Sequence, residues 1–79
     1  MALDNFVRTV HEIDQHWEGK HMNCTYWIGR KMSGGFTIFG ADETGVITIE
    51  KRGHFDTYRS AREYLKENFR FKGRMVLVK

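Results

Sequence analysis

The residues best equipped for catalysis or metal binding are four histidines and one cysteine, of which His11, His16 and His21 recur at five-residue steps ahead of Cys24. On a helix each such step turns through about 500°, which scatters the imidazoles around the circumference instead of converging them on one ion. The paired spacings of structural zinc sites are missing as well. Solvent-facing helix histidines are therefore the expectation, with no metal and no cofactor. Cys24 alternates with Tyr26 and Ile28, the setting of a small core residue more than of a nucleophile. Asp42 and Glu43 stand in an Asp-Glu-Thr-Gly turn and have no second carboxylate placed to work with them. Gly34 and Gly35 lack the Lys-Ser or Lys-Thr pair and the following helix that a phosphate-cradling loop requires. A chain of 79 residues can seldom enclose the cleft of roughly 300 Å³ that a water-excluding active site needs. The expectation is a non-enzymatic binding module.

Charge is arranged more suggestively than it is abundant. Thirteen Lys and Arg against ten Asp and Glu leave a net charge of +3, which favours polyanions only mildly. Arg59, Arg62, Lys66 and Arg70, however, fall at i, i+3, i+7 and i+11, so on a helix they form one positive stripe. Glu63 and Glu67 lie beside it at salt-bridging spacing, the pattern of a solvated helix face laced with ion pairs. Further cations at Arg30 and Lys31, Lys51 and Arg52, and Lys72 and Arg74 fall near predicted strand ends and loops. They form a rim if strand register brings them to one side.

These side chains are positioned by two predicted helices and a meander of strands. Leu3, Phe6, Val7, Val10, Ile13 and Trp17 recur at three- and four-residue intervals, predicting a helix that ends near Gly19 and is capped by Asp4 or Asn5. From Cys24 the period changes to two, a strand. Ser33-Gly34-Gly35 supplies a reversal into a second strand at Phe36 to Phe39. After the turn at Asp42 to Gly45, Val46 to Arg52 alternates again, with Ile47 and Ile49 on one side. Asp56 or Thr57 caps a second helix on which Tyr58, Ala61, Leu65 and Phe69 share a face, and Gly73 reads as its stop. Met75 to Val78 is too short for a helix and too apolar for a tail, so it reads as a last strand. The expected fold is α+β in the order αβββαβ, an antiparallel sheet of three to four strands packed with two helices, forming one domain over residues 1–79.

Two packings of those elements are open, and they decide what the surface offers. Trp27, Phe39, Val46 and Thr48 have the opposite parity to a core set of Tyr26, Ile28, Phe36, Ile38, Ile47 and Ile49. If both helices cover one face, Trp27 and Phe39 are left exposed as a binding patch. If each helix covers its own face, the two rings are core, and a domain this small can hardly leave a Trp unburied.

The segment Tyr26 to Phe69 resembles the three-strand-plus-helix modules typified by the ethylene-response-factor DNA-binding domain and the arm-site-binding domain of tyrosine integrases. The likeness rests on Gly53, Phe55, Asp56, Thr57 and Ala61 and on the strand spacing before them. It implies DNA reading by an exposed sheet face, here through Trp27, Arg30 and Arg52. Thr57, Arg59, Ala61 and Arg62 are similar to the basic start of the last helix of double-stranded-RNA-binding domains. The leading expectation is thus a nucleic-acid partner held by Arg59, Arg62, Lys66 and Arg70 with Arg30, Lys31 and Arg52. The alternative is a host-protein partner, in the manner of the small inhibitors and adaptors that phages direct at host machinery, held by Trp27, Phe39 or the edge strand Met75 to Val78. With one cysteine and no basic, apolar leader or membrane span, a reducing cytoplasm is the expected compartment.

Overall fold

A computed structural model describes residues 3–50 and 53–78. The elements are α1 (Asn5–Val10), β1 (Ile13–His21), β2 (Cys24–Lys31), β3 (Phe36–Ala41), β4 (Ile47–Ile49), α2 (Tyr58–Phe69) and β5 (Val76–Val78), an α+β fold. The strands form one sheet in the order β4-β3-β2-β1-β5, with every neighbour antiparallel. Lys51, Arg52 and the end of the strand expected there lie outside the described residues.

The main departure from expectation is at the start of the chain. Asp4 caps α1 as anticipated, accepting the amide of Phe6 at 2.7 Å, but the helix ends at Val10. Glu12 adopts a left-handed conformation (φ 54°) and turns the chain back, and residues 13–21 become a strand. That strand is the second from one edge of the sheet: β2 pairs along its length and β5 pairs with its His16–Glu18 part. Its backbone hydrogen bonds are therefore made in the sheet, where a helical segment would have made them internally. A β-bulge between Ile13 and Gln15 explains the misleading pattern. In a regular strand Ile13 and Trp17 would share a face, since i and i+4 have the same parity. Here Ile13 packs under α1 while Trp17 packs against Phe36 and Tyr58 on the other side.

Each helix covers its own face of the sheet. Ile28, Ile38, Phe55, Ala61, Leu65, Phe71 and Met75 form the core beneath α2. Leu3, Ile13, Trp27, Phe39 and Ala41 form the core beneath α1, with Val7 and Ile47 at its edge. Ile47 and Ile49, expected on the α2 face, instead lie on the α1 face, because they pair with Ala41 and Phe39. The reversals are as the residue types dictate. Gly34 and Gly35 have positive φ in the β2–β3 hairpin, and Asp42 Oδ1 accepts the Thr44 amide at 2.9 Å in the next turn. The hydrogen bonds from Thr44 hold the Asp42 carboxyl below the usual carboxylate range, a turn-stabilising role.

The second helix begins at Thr57, whose hydroxyl and backbone exchange hydrogen bonds with Ser60 in a capping box. Phe55, just before it, bridges to Phe36 by two backbone bonds of 2.7 Å and so anchors the helix start to β3. The helix stops at Arg70, which takes the left-handed cap conformation (φ 54°) and not, as expected, at Gly73. Gly73 has a different duty. A Cβ there would collide with the Lys20 carbonyl, so the return strand passes against β1 only because this residue has no side chain. Gly19 faces it from β1, where a Cβ would come within 2.5 Å of the Phe71 ring and 2.8 Å of the Arg74 carbonyl.

Candidate functional site

Because the chain between α2 and β5 is pressed onto β1 at Gly19 and Gly73, it leaves a groove beside the second half of α2. The groove has a volume of about 350 Å³ and is lined by Arg62, Glu63, Lys66, Phe71, Lys72 and Gly73. Its floor is the buried Phe71 ring, which continues into the α2 core. Its walls carry three cations and one acid. Arg62 is half-buried and oriented, with Nη2 donating to the Gly73 carbonyl at 3.3 Å and Nη1 reaching the Tyr58 hydroxyl at 3.5 Å. Lys66 and Lys72 are exposed.

The acids predicted to dilute this charge are unevenly placed. Glu63 accepts from Arg59 Nε at 3.2 Å, an i,i+4 pair on the exposed flank of the helix. The ion pairs among the described residues join Arg30 to Asp14, His54 to Asp56 and Arg59 to Glu63, and none engages Arg62, Lys66 or Lys72. Arg59 and Glu63 thus answer one another, while among the described residues Arg62, Lys66 and Lys72 make no ion pair. Phosphate oxygens suit such a site: a half-buried guanidinium supplies fixed donors and two ammonium groups supply mobile charge.

The predicted cationic row is therefore partly assembled and partly split. Arg62 and Lys66 meet in the groove, joined by Lys72, which belonged to the predicted rim and not to the helix row. Its position was hidden because it depends on the turn after Arg70. Arg59 lies on the helix flank, and Arg70 is the helix cap, off the stripe. Arg30 and Lys31 sit elsewhere. They end β2 opposite Gln15 and Ile13, whereas the groove lies against Gly19 and Lys20, roughly 20 Å farther along β1 at the rise of an extended strand. Arg30 is also engaged, donating to both oxygens of Asp14 at 3.1 Å and holding that carboxyl below its usual range. Arg52 lies outside the described residues.

The packing encloses both rings of the aromatic alternative. Trp27 is 0% exposed and Phe39 1%, both enclosed between α1 and the sheet. The Trp27 indole donates to Glu18 Oε1 at 2.9 Å. The same enclosure covers the sheet face through which the resembled DNA-binding modules would read bases with Trp27. What remains of this alternative is β5, an edge strand on which Val76 is 57% and Leu77 38% exposed.

Histidine placement also differs from expectation. His16 is not solvent-facing but 2% exposed within β1. Among the described residues no three His, Cys, Asp or Glu side chains gather as a metal set. Cys24 is half-buried beside Tyr26, whose phenol is pushed up first by burial and then by the neighbouring thiol. No described helix is long and apolar enough to cross a membrane. No family model, curated protein or solved structure matches the chain.

Proposed function

We propose that the protein is a non-enzymatic nucleic-acid-binding module that grips backbone phosphates in the groove between α2 and the chain leading to β5. One observation supports this reading: Arg62, Lys66 and Lys72 converge on one concave surface whose acid, Glu63, is paired with Arg59. The recognition is of phosphates, so it is sequence-tolerant and electrostatic.

Such a contact releases counterions. With three phosphates neutralised, the logarithm of affinity is expected to fall against the logarithm of salt concentration with a slope of roughly −2 to −3, the lower figure for single strands. Fluorescence anisotropy with labelled single- and double-stranded DNA and RNA measures it. Absence of binding at low salt to all four probes removes the proposal. A salt-independent capture would move the function to an apolar surface, for which the β5 edge with Val76 and Leu77 is the exposed candidate.

A further inference from the structure

The polar cluster beneath α1 takes no part in the groove, and it contains an unusual histidine. His16 is buried, and among the described residues neither of its ring nitrogens has a hydrogen-bond partner. A buried polar group left in that state is costly, and natural proteins rarely keep one without a use. Its strand neighbours are Gly29 of β2 and Val78 of β5, which offer it no titratable side chain. The charged groups that face it are Arg8 from α1 and Glu18 from its own strand. Arg8 Nε is likewise buried with no hydrogen-bond partner among the described residues. Glu18 accepts the indole N–H of Trp27, the largest side chain of the core under α1.

The helix above this cluster is lightly held. It has six residues, of which Val7 packs on the core beside Leu3, the residue ahead of the cap, while Phe6 and Val10 point outward. We propose that His16 is a proton-operated latch for α1: uncharged, it lets the helix close over the sheet, and protonated, it faces the Arg8 cation in a buried site and releases the helix, uncovering Trp27 and Phe39.

The direction of the effect follows from which form holds the proton more weakly. Burial first, then the charge of Arg8, hold His16 below its ordinary 6.5 when the helix is closed, and Glu18 offsets only part of this. Release returns the imidazole to water, so the open form takes up the proton more readily. The closed form is therefore fully favoured above the ordinary histidine range and loses ground as pH falls below it, by up to about tenfold in the opening equilibrium per pH unit. His11 caps the C-terminal end of α1 and meets the Phe39 ring edge-on, so the His16→Leu variant is what assigns the effect to His16.

The test is amide hydrogen exchange by NMR on the whole chain, corrected for intrinsic rates, at about pH 7.5 and about pH 5.5. The latch predicts that the α1 amides and the Trp27 indole N–H lose protection by on the order of tenfold in acid while the α2 amides keep theirs. His16→Leu, which fills the same space without a charge, should hold α1 closed at both pH values. Equal protection of α1 at both pH values in the unaltered protein, or the same acid loss in His16→Leu, overturns the proposal. Should His16→Leu fail to fold, the His16 ring resonance of the unaltered chain decides: it must titrate below its ordinary value and in step with the α1 amides. A ring that titrates normally, or without any response from α1, rejects the latch.

Discussion

Trp27→Ala is expected to destabilise the protein by about 3–5 kcal/mol, the cost of a fully buried large aromatic truncated to a methyl. A domain of this size retains a net stability of about the same magnitude, so the variant should be largely unfolded at room temperature. Three features of the structure set the scale. The indole is wholly enclosed, it bridges Leu3 and Ile13 to Phe39 and Ala41, and its N–H donates to Glu18 Oε1. Urea denaturation followed by far-ultraviolet circular dichroism measures the effect. A loss under about 1 kcal/mol would mean that α1 does not close the second core, because an exposed indole is worth little to folding.

The second large effect falls on binding and leaves the fold alone. Lys66→Glu combined with Lys72→Glu should lower affinity for nucleic acid by on the order of 100-fold and reduce the magnitude of the salt slope by about 2, since two phosphate contacts are replaced by repulsion. Both lysines are exposed and neither takes part in an ion pair, so the melting temperature should hardly change. Lys31→Glu changes the net charge at the far end of β2 and serves as the control. Equal losses in Lys31→Glu and in the paired variant, scaled to charge, would mean that the chain attracts polyanions through its overall charge and has no groove-centred site.

Much of this architecture is legible in the chain, and the misread parts have definite causes. The β2–β3 hairpin is visible because Gly34 and Gly35 are needed at positive φ, and α2 is visible because Thr57 caps a run in which Ala61 and Leu65 recur on one face. The strand β1 is not. Its apolar residues Ile13 and Trp17 are four apart, as on a helix, and the bulge at Asp14 sends them to opposite faces. The residues between them are Asp14, Gln15 and His16, none of which announces a strand. Burial of His16 follows from the same error, because a histidine on an exposed helix and one in a covered strand look alike in sequence.

The candidate site was half legible for a related reason. Helical spacing alone brings Arg62 and Lys66 together. Lys72 joins them only because Arg70 turns left-handed and Gly73 lets the chain lie on Lys20. Neither event leaves a periodic signal. Conversely, the shared parity of Trp27 and Phe39 is visible in the sequence, but parity cannot say which face a helix covers. That was decided by Leu3 and Val7, which bring α1 down onto the face opposite α2.

The groove itself is most directly tested by mapping an oligonucleotide onto the isotope-labelled protein through its backbone and side-chain NMR shifts. Phosphate contact in the groove predicts the largest changes at Arg62, Lys66, Lys72 and Gly73, fading as salt is raised, with Arg30 and Lys31 at the far end of the sheet unmoved. Shifts concentrated instead on β5, on α1, or on the Arg30–Lys31 hairpin, with the α2 groove silent at saturating oligonucleotide, would contradict it.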